Sequence, residues 1–124
     1  DDGVYAGARI LEILSREADP SVALEALPSA VNTPELQIRM AEGENKAFIA
    51  RLQKEARFDD ALDVITIDGV RVEWNDGFAL ARSSNTTPVV VLRLEGDTPE
   101  ALERIKKTFA EVLLKVEPSL ELPF

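Results

Sequence analysis

The sequence predicts an α+β fold, in which a mostly antiparallel sheet of four to five strands carries two helices on one face and a further helix precedes the sheet. Short apolar runs are separated by Asp68-Gly69 and by Asn75-Asp76-Gly77, which supply the positive-φ residues that tight hairpins require. Two longer segments, 44–58 and 98–117, instead repeat apolar residues at helical spacing. Hairpins joined in series favour antiparallel strands, and the two segments are long enough to cover them.

The first element is a helix that Asp1 and Asp2 can cap and that ends before Asp19-Pro20. Its apolar positions recur at helical spacing: Val4, Ala8, Leu11, Leu14 and Ala18. Tyr5, Ile10 and Ile13 make a second side apolar, so we expect a neighbour on both sides. Because the chain begins with an aspartate, we expect it to be part of a longer protein.

Residues 19–34 contain three prolines and no sustained period, which predicts a connector between two domains. We therefore assign residues 1–20 to the last helix of a preceding domain, residues 21–34 to a linker or hinge, and residues 35–124 to the C-terminal domain. The alternative is that residues 19–34 form an ordinary long surface loop or a rigid packed linker.

The C-terminal domain begins with ELQIRMA, whose alternation predicts a strand, and continues with the helical segment ENKAFIARLQKEARF. Three short β-runs follow, LDVITI, VRVEW and FALA. The run PVVVLRLEG predicts a strand in the centre of the sheet, because it is almost continuously apolar. The last helix has Thr98 as its N-cap and Pro99 at its first position, and Pro118 ends it. The predicted order from residue 35 is β, α, β, β, β, β, α.

The composition excludes several classes of function. With 124 residues, of which 45% are hydrophobic, the chain can form one packed domain. The net charge of −9 argues against nucleic acid or an anionic membrane as a partner, and no apolar run could span a bilayer. The absence of cysteine fits a reducing cytoplasm, so we expect a cytoplasmic protein, and we expect this chain to be a monomer.

One polar cluster, Arg82-Ser83-Ser84-Asn85-Thr86-Thr87, interrupts two apolar strands. Its side chains offer a guanidinium fork, hydroxyls and an amide, which are the groups that bind phosphate oxygens. The chain has no histidine that could activate a serine, so the cluster suits binding and not catalysis. The alternative is that these are ordinary turn residues beside a solvated arginine. We give Arg71 and Arg93 no role in the site, because each is the outward residue of a strand.

A resemblance favours the phosphate-binding interpretation. The string RSSNTTPVVVLRLE, preceded by DGVRVEWNDGFAL and followed by a helix and PSLELPF, resembles the last domain of the α-D-phosphohexomutases, specifically of bacterial phosphomannomutase/phosphoglucomutase. The segment DDGVYAGARILEIL resembles the helix that closes the third domain of the same family. The resemblance implies a TATA-box-binding-protein-like fold for the C-terminal domain.

The resemblance also implies a function. Members of this family are isomerases of carbohydrate metabolism, which convert a hexose 1-phosphate, of glucose or mannose, to its 6-phosphate through a bisphosphorylated sugar. Their Mg²⁺ and active-site phosphoserine lie in other domains. The last domain holds the phosphate that is not being transferred, and the motif maps onto Arg82, Ser84, Asn85 and Thr86, with Ser83 as a non-essential member.

The expected partners are therefore a phosphosugar and the other domains of the same chain. We expect no catalytic residue, cofactor or metal ligand in this chain, and no mutase activity from it alone. A stand-alone α+β module that binds another protein through its sheet is the competing hypothesis.

Overall fold

The structure is a computed structural model that describes residues 2–124. In this part of the chain four helices and six strands follow one another: α1 (Gly3–Leu14), α2 (Pro20–Glu25), β1 (Val31–Asn32), β2 (Leu36–Arg39), α3 (Glu44–Glu55), β3 (Asp63–Ile65), β4 (Val70–Trp74), β5 (Gly77–Ser83), β6 (Val89–Gly96) and α4 (Pro99–Val116). The predicted order from residue 35 is confirmed. No helix among residues 2–124 combines the length and the hydropathy that crossing a membrane would require.

The sheet is antiparallel at every pairing, with the strand order β1-β6-β5-β4-β3 and with β2 also paired to β6. β6 is central, as its apolar run predicts, because it pairs with β5 on one side and with β1 and β2 on the other. The sheet has six strands among the described residues, one more than predicted, because Val31 and Asn32 pair with Gly96 and Glu95. The α+β class is confirmed.

The core lies between one face of the sheet and the helices α3 and α4. Alternate residues of β4 point towards these helices, so this strand contributes Val70, Val72 and Trp74 to the core. Phe109 of α4 is fully buried, and its ring stacks on Phe58 at 5.8 Å between centroids. The largest fully buried side chains are Phe48, Phe109, Leu52, Leu92, Leu94, Ile105, Leu113, Val70, Val72 and Val90.

The termini of α4 follow the sequence signals. The side chain of Thr98 accepts a hydrogen bond from the Ala101 N–H at 3.2 Å, and Pro99 occupies the first turn. The helix ends at Val116, two residues before Pro118. Both predicted ends are confirmed.

The first helix is shorter than predicted. α1 begins after Asp2, whose side chain accepts a hydrogen bond from the Tyr5 N–H at 2.9 Å, whereas the cap predicted for Asp1 lies outside the described residues. It ends at Leu14 and does not extend to residue 18, and the Ser15 hydroxyl instead bonds the Glu12 carbonyl at 2.8 Å. A serine that bonds the backbone of the preceding turn competes with helix continuation.

The predicted connector contains two short elements that the sequence analysis missed. Asp19 caps α2 by accepting from the Ser21 N–H at 3.0 Å, and Pro20 is the first helical residue. β1 adds its pair of residues to the edge of the sheet. Six and two residues are too few for a hydrophobic period to emerge. The domain boundaries stay a prediction.

Candidate functional site

The polar cluster divides between a strand and a loop. Arg82 and Ser83 are the last residues of β5, where they pair in register with Val91 and Val90 of β6. Residues 84–88 then turn the chain, and the Ser84 N–H donates to the Val89 carbonyl at 3.0 Å. The loop is thus carried by two central strands, and rigid neighbours of this kind position binding groups well.

Ser84 organises the loop from within. Its Oγ accepts hydrogen bonds from the N–H groups of Thr86 at 3.3 Å and Thr87 at 3.2 Å, and from the Thr87 hydroxyl at 2.9 Å. Asn85 and Thr86 are exposed at the tip, and Ser84 is half-buried. The Ser84 Oγ also lies 3.4 Å from the Thr86 Oγ1, where either hydroxyl can donate, so Ser84 stabilises the turn from within.

A buried amide from a distant part of the chain holds the loop in place. Asn45 lies in the first turn of α3, is only 4% exposed, and directs its Nδ2 at two backbone carbonyls of the loop and at that of Val89, the first residue of β6. The distances are 3.1 Å to Ser84 O, 3.3 Å to Thr87 O and 3.3 Å to Val89 O. Sequence reasoning missed Asn45, although an amide on the apolar side of a helix must find partners when buried and was a usable signal.

Arg82 makes a different set of contacts. Its side chain is 45% exposed, and its Nη1 lies 3.5 Å from Oδ2 of Asp68 in the turn between β3 and β4. Gly69 in that turn has φ +100°, and a Cβ built on it would lie 2.2 Å from the Ala81 carbonyl oxygen and 2.8 Å from the Cβ of Arg82. The turn therefore lies directly against Arg82, and only glycine fits there.

The β3–β4 turn is also anchored by α3. The Nε2 of Gln53 donates to Thr66 O at 3.0 Å and to Gly69 O at 2.9 Å. The same helix thus contacts both the loop 84–88 and the turn that supports Arg82.

A shallow cavity of about 270 Å³ lies between the loop and the start of α3. Ser84, Asn85 and Thr86 line it, so the structure brings three of the four predicted site residues together, whereas Arg82 does not line it. Lys46 and the positive end of α3 favour an anion in this cavity, and Glu42 opposes it. The lining residues are Glu42, Gly43, Asn45, Lys46, Ser84, Asn85, Thr86, Thr87 and Pro88.

A larger cavity of about 660 Å³ lies elsewhere, between β2, α3 and the C-terminal segment. Two of its charged lining residues pair with each other, because Arg51 bonds Glu117 at 2.6 Å, and Arg39, Glu44 and Glu121 also line it. The hydrogen bond from Arg51 is the largest cause that lowers the pKa of Glu117 to about 2, and the hydrogen bonds from Ser119 are the next largest. We place the candidate site at the smaller cavity, because the donor-rich loop lines only that one.

The two arginines left out of the site occupy the strands as expected. Arg71 bonds Glu73 at 2.5 Å and lies 3.6 Å above the ring of Phe78, which explains why it is only partly exposed. Arg93 is exposed on β6. Across residues 2–124 no group of three or more carboxylate, histidine or cysteine side chains is arranged to hold a metal ion.

The comparison with known proteins identifies the family. Residues 35–112 match the family model described as the C-terminal domain of phosphoglucomutase/phosphomannomutase. The chain belongs to this family. It is 54% identical over 114 residues to a phosphoglucomutase of Neisseria meningitidis serogroup B, which covers 91% of this chain and 25% of the relative. It is 47% identical over 125 residues to a phosphomannomutase/phosphoglucomutase of Pseudomonas aeruginosa, which covers 100% of this chain and 27% of the relative.

A solved structure agrees. The phosphoglucomutase/phosphomannomutase family protein of Burkholderia thailandensis superposes with a TM-score of 0.87 at 56% identity, covering 100% of this chain and 26% of that one. The resemblance in the sequence is therefore confirmed. The chain spans about a quarter of the length of the curated phosphoglucomutase relatives that it matches.

Proposed function

We propose that this chain is the substrate phosphate-binding domain of a phosphohexomutase that interconverts hexose 1-phosphate and hexose 6-phosphate, of glucose or mannose, through a bisphosphorylated intermediate. The observation that carries the proposal is the loop 84–88, which presents hydroxyls and an amide at its surface while Asn45 holds its carbonyls. Family membership and the printed names of the relatives support the reaction.

Each predicted residue has a separate task in the proposed site. Arg82 grips two phosphate oxygens with its planar fork, once its weak contact with Asp68 is exchanged for the ligand. The Ser84 hydroxyl, which lies 3.4 Å from the Thr86 hydroxyl, turns its proton to the phosphate, and the exposed side chains of Asn85 and Thr86 supply further donors at the tip.

The site binds and does not catalyse. None of Arg82, Ser84, Asn85 and Thr86 can accept a proton near neutral pH, and in the proposal the Mg²⁺ and phosphoserine of the reaction come from the rest of the parent protein. The chain contributes binding energy and, if residues 21–34 act as a hinge, closure that keeps water from the reacting phosphate. A site that recognises phosphate alone also accepts the intermediate in both orientations, with glucose or mannose.

The proposal is tested by a series of ligands that separates phosphate from sugar. Affinities for glucose 1-phosphate, glucose 6-phosphate and mannose 1-phosphate, measured by calorimetry on the chain, should agree within about fivefold, a difference of about 1 kcal/mol. Glucose without phosphate should not bind. Binding of glucose itself, or discrimination between the two sugars beyond about a hundredfold, would show that the loop is not a general phosphate site.

The expected inactivity of the chain is tested separately. We expect the parent enzyme to act in the cytoplasm and this chain to lack mutase activity in a coupled assay of glucose 6-phosphate formation. Measurable turnover by the chain alone would refute the division of labour between domains.

A further inference from the structure

We propose that Asn45 and Gln53, two amides of α3, are positioning residues for the phosphate site: Asn45 fixes the loop 84–88, and Gln53 fixes the turn 66–69 that supports Arg82. The inference rests on the proposed function, because it assigns a role in phosphate binding to two residues that need not touch the ligand.

Asn45 determines which groups of the loop face outward. A loop backbone offers both donors and acceptors, and carbonyl oxygens repel a phosphate. The carbonyls of Ser84, Thr87 and Val89 all accept from the Nδ2 of Asn45, so these three acceptors are turned towards the helix. The groups left for an anion are then mainly hydroxyls, the Asn85 amide and backbone N–H groups.

Gln53 has the equivalent role for the arginine. It draws the carbonyls of Thr66 and Gly69 towards α3, and Gly69 contacts the stem of Arg82 so closely that no Cβ fits between them. Restricting this turn restricts the side-chain conformations of Arg82, which reduces the entropy that Arg82 loses when it binds phosphate. Because Gln53 is exposed and Asn45 is buried, Gln53 should contribute less to phosphate affinity than Asn45 does.

The helix that carries both amides is rigid in the fold. Phe48, Ile49 and Leu52 lie between Asn45 and Gln53 in sequence and are buried in the core. Eight residues of α-helix separate the two amides by about 12 Å along the axis. The helix therefore holds the loop 84–88 and the turn 66–69 in fixed positions relative to each other, and both contact the proposed phosphate-binding groups.

The test uses neutral substitutions that keep side-chain size. Asn45→Leu and Gln53→Met remove the hydrogen bonds while keeping good helix formers, and Gln37→Met makes the matched change at an exposed position of β2. Asn45→Ser retains one donor. Affinity for glucose 1-phosphate and amide hydrogen exchange without ligand are measured by NMR on each chain, with the amides of β6 reporting whether the core is intact.

We expect Asn45→Leu to bind roughly tenfold more weakly, as loss of one to two neutral hydrogen bonds predicts, and to exchange faster at residues 84–89. Gln53→Met should bind about threefold more weakly and exchange faster at residues 66–71, because its bonds are more exposed. Asn45→Ser should recover part of the affinity, and Gln37→Met should match the unaltered chain.

If Asn45→Leu leaves both the affinity and the hydrogen exchange of residues 84–89 unchanged, the inference for Asn45 is overturned. If Gln53→Met leaves both the affinity and the hydrogen exchange of residues 66–71 unchanged, the inference for Gln53 is overturned. If the unaltered chain binds no phosphosugar, the proposed function fails. The exchange at residues 84–89 then still decides whether Asn45 orders the loop, so the two failures are distinguishable.

Discussion

Replacement of Arg82 by alanine should weaken phosphate binding strongly without unfolding the domain. The side chain is 45% exposed, and its ion pair with Asp68, itself 74% exposed, is 3.5 Å long. Exposed pairs of this kind stabilise a fold by less than about 1 kcal/mol, so the free energy of unfolding should change little. Each hydrogen bond of a guanidinium to phosphate is worth roughly 1.5–3 kcal/mol, so loss of even one of the two should lower affinity by at least about 10-fold.

Arg93→Ala is the matched control, because Arg93 is an exposed arginine on the neighbouring strand β6, where it pairs in register with Leu80. It changes the net charge by the same amount, but Arg93 lies outside the loop, two register positions from Arg82, so it should weaken binding clearly less than Arg82→Ala does. Affinity is measured by calorimetry with glucose 1-phosphate, and stability by urea unfolding. Equal losses for both variants would mean that net charge alone is responsible. No loss for either would remove Arg82 from the site and favour the protein-interaction module.

Three further predictions concern the stability of the domain and the titration of one carboxyl group. Gly69→Ala should destabilise the domain by more than about 1 kcal/mol in urea unfolding, because φ is +100° and the new Cβ would lie 2.2 Å from the Ala81 carbonyl oxygen; a neutral effect would show that the turn relaxes freely. Phe109→Ala, at a fully buried position, should cost about 3–5 kcal/mol in the same assay, and a loss below about 1 kcal/mol would contradict its central place in the core. The pKa of Glu117, about 2, lies below the ordinary 4.5, so the stabilisation from its pair with Arg51 is complete above pH 4.5 and is lost as the pH falls towards 2. Arg51→Gln should raise the pKa of Glu117 in a carboxyl-carbon NMR titration. An unchanged pKa would refute the pairing.

The elements that the sequence predicts well are those with both a periodic pattern and a signal at an end. α4 has an apolar face, a capping Thr98 and a first-turn Pro99, and the structure has all three features. The strands β4 and β5 are joined by only Asn75 and Asp76, with Gly77 at φ 153° as the first residue of β5, and their pairing follows from the short connection. Local chemistry is sufficient in these cases because no distant contact competes with it.

The elements that the sequence misses depend on contacts made far along the chain. The short strand β1 exists because its residues meet β6, and the adjoining Thr33 exchanges hydrogen bonds with Leu94, with Thr33 N–H donating to the Leu94 carbonyl at 2.9 Å and Leu94 N–H to the Thr33 hydroxyl at 3.1 Å. A segment with three prolines gives no local sign of this pairing. The predicted α1 is too long for a different reason, because the apolar spacing in the sequence continues beyond Leu14, where the helix ends.

The candidate site shows the same division. The residues of the loop could be named from the sequence because the motif is contiguous and resembles a known family. Their supports could not, because Asn45 lies 39 residues from Ser84 and Arg82 lies 14 residues from Asp68. The packing of α3 on the sheet brings Asn45 to the loop, and the pairing of β4 with β5 brings Asp68 to Arg82.

The central claim is that the polar loop binds the phosphate of a sugar phosphate. It is tested most directly by titrating the ¹⁵N-labelled chain with glucose 1-phosphate and following every backbone amide by NMR. We predict shifts confined to Arg82 through Thr87 and to the start of α3 that lines the same cavity. Shifts centred on the larger cavity beside Arg51, or no shift at millimolar ligand, would contradict the claim.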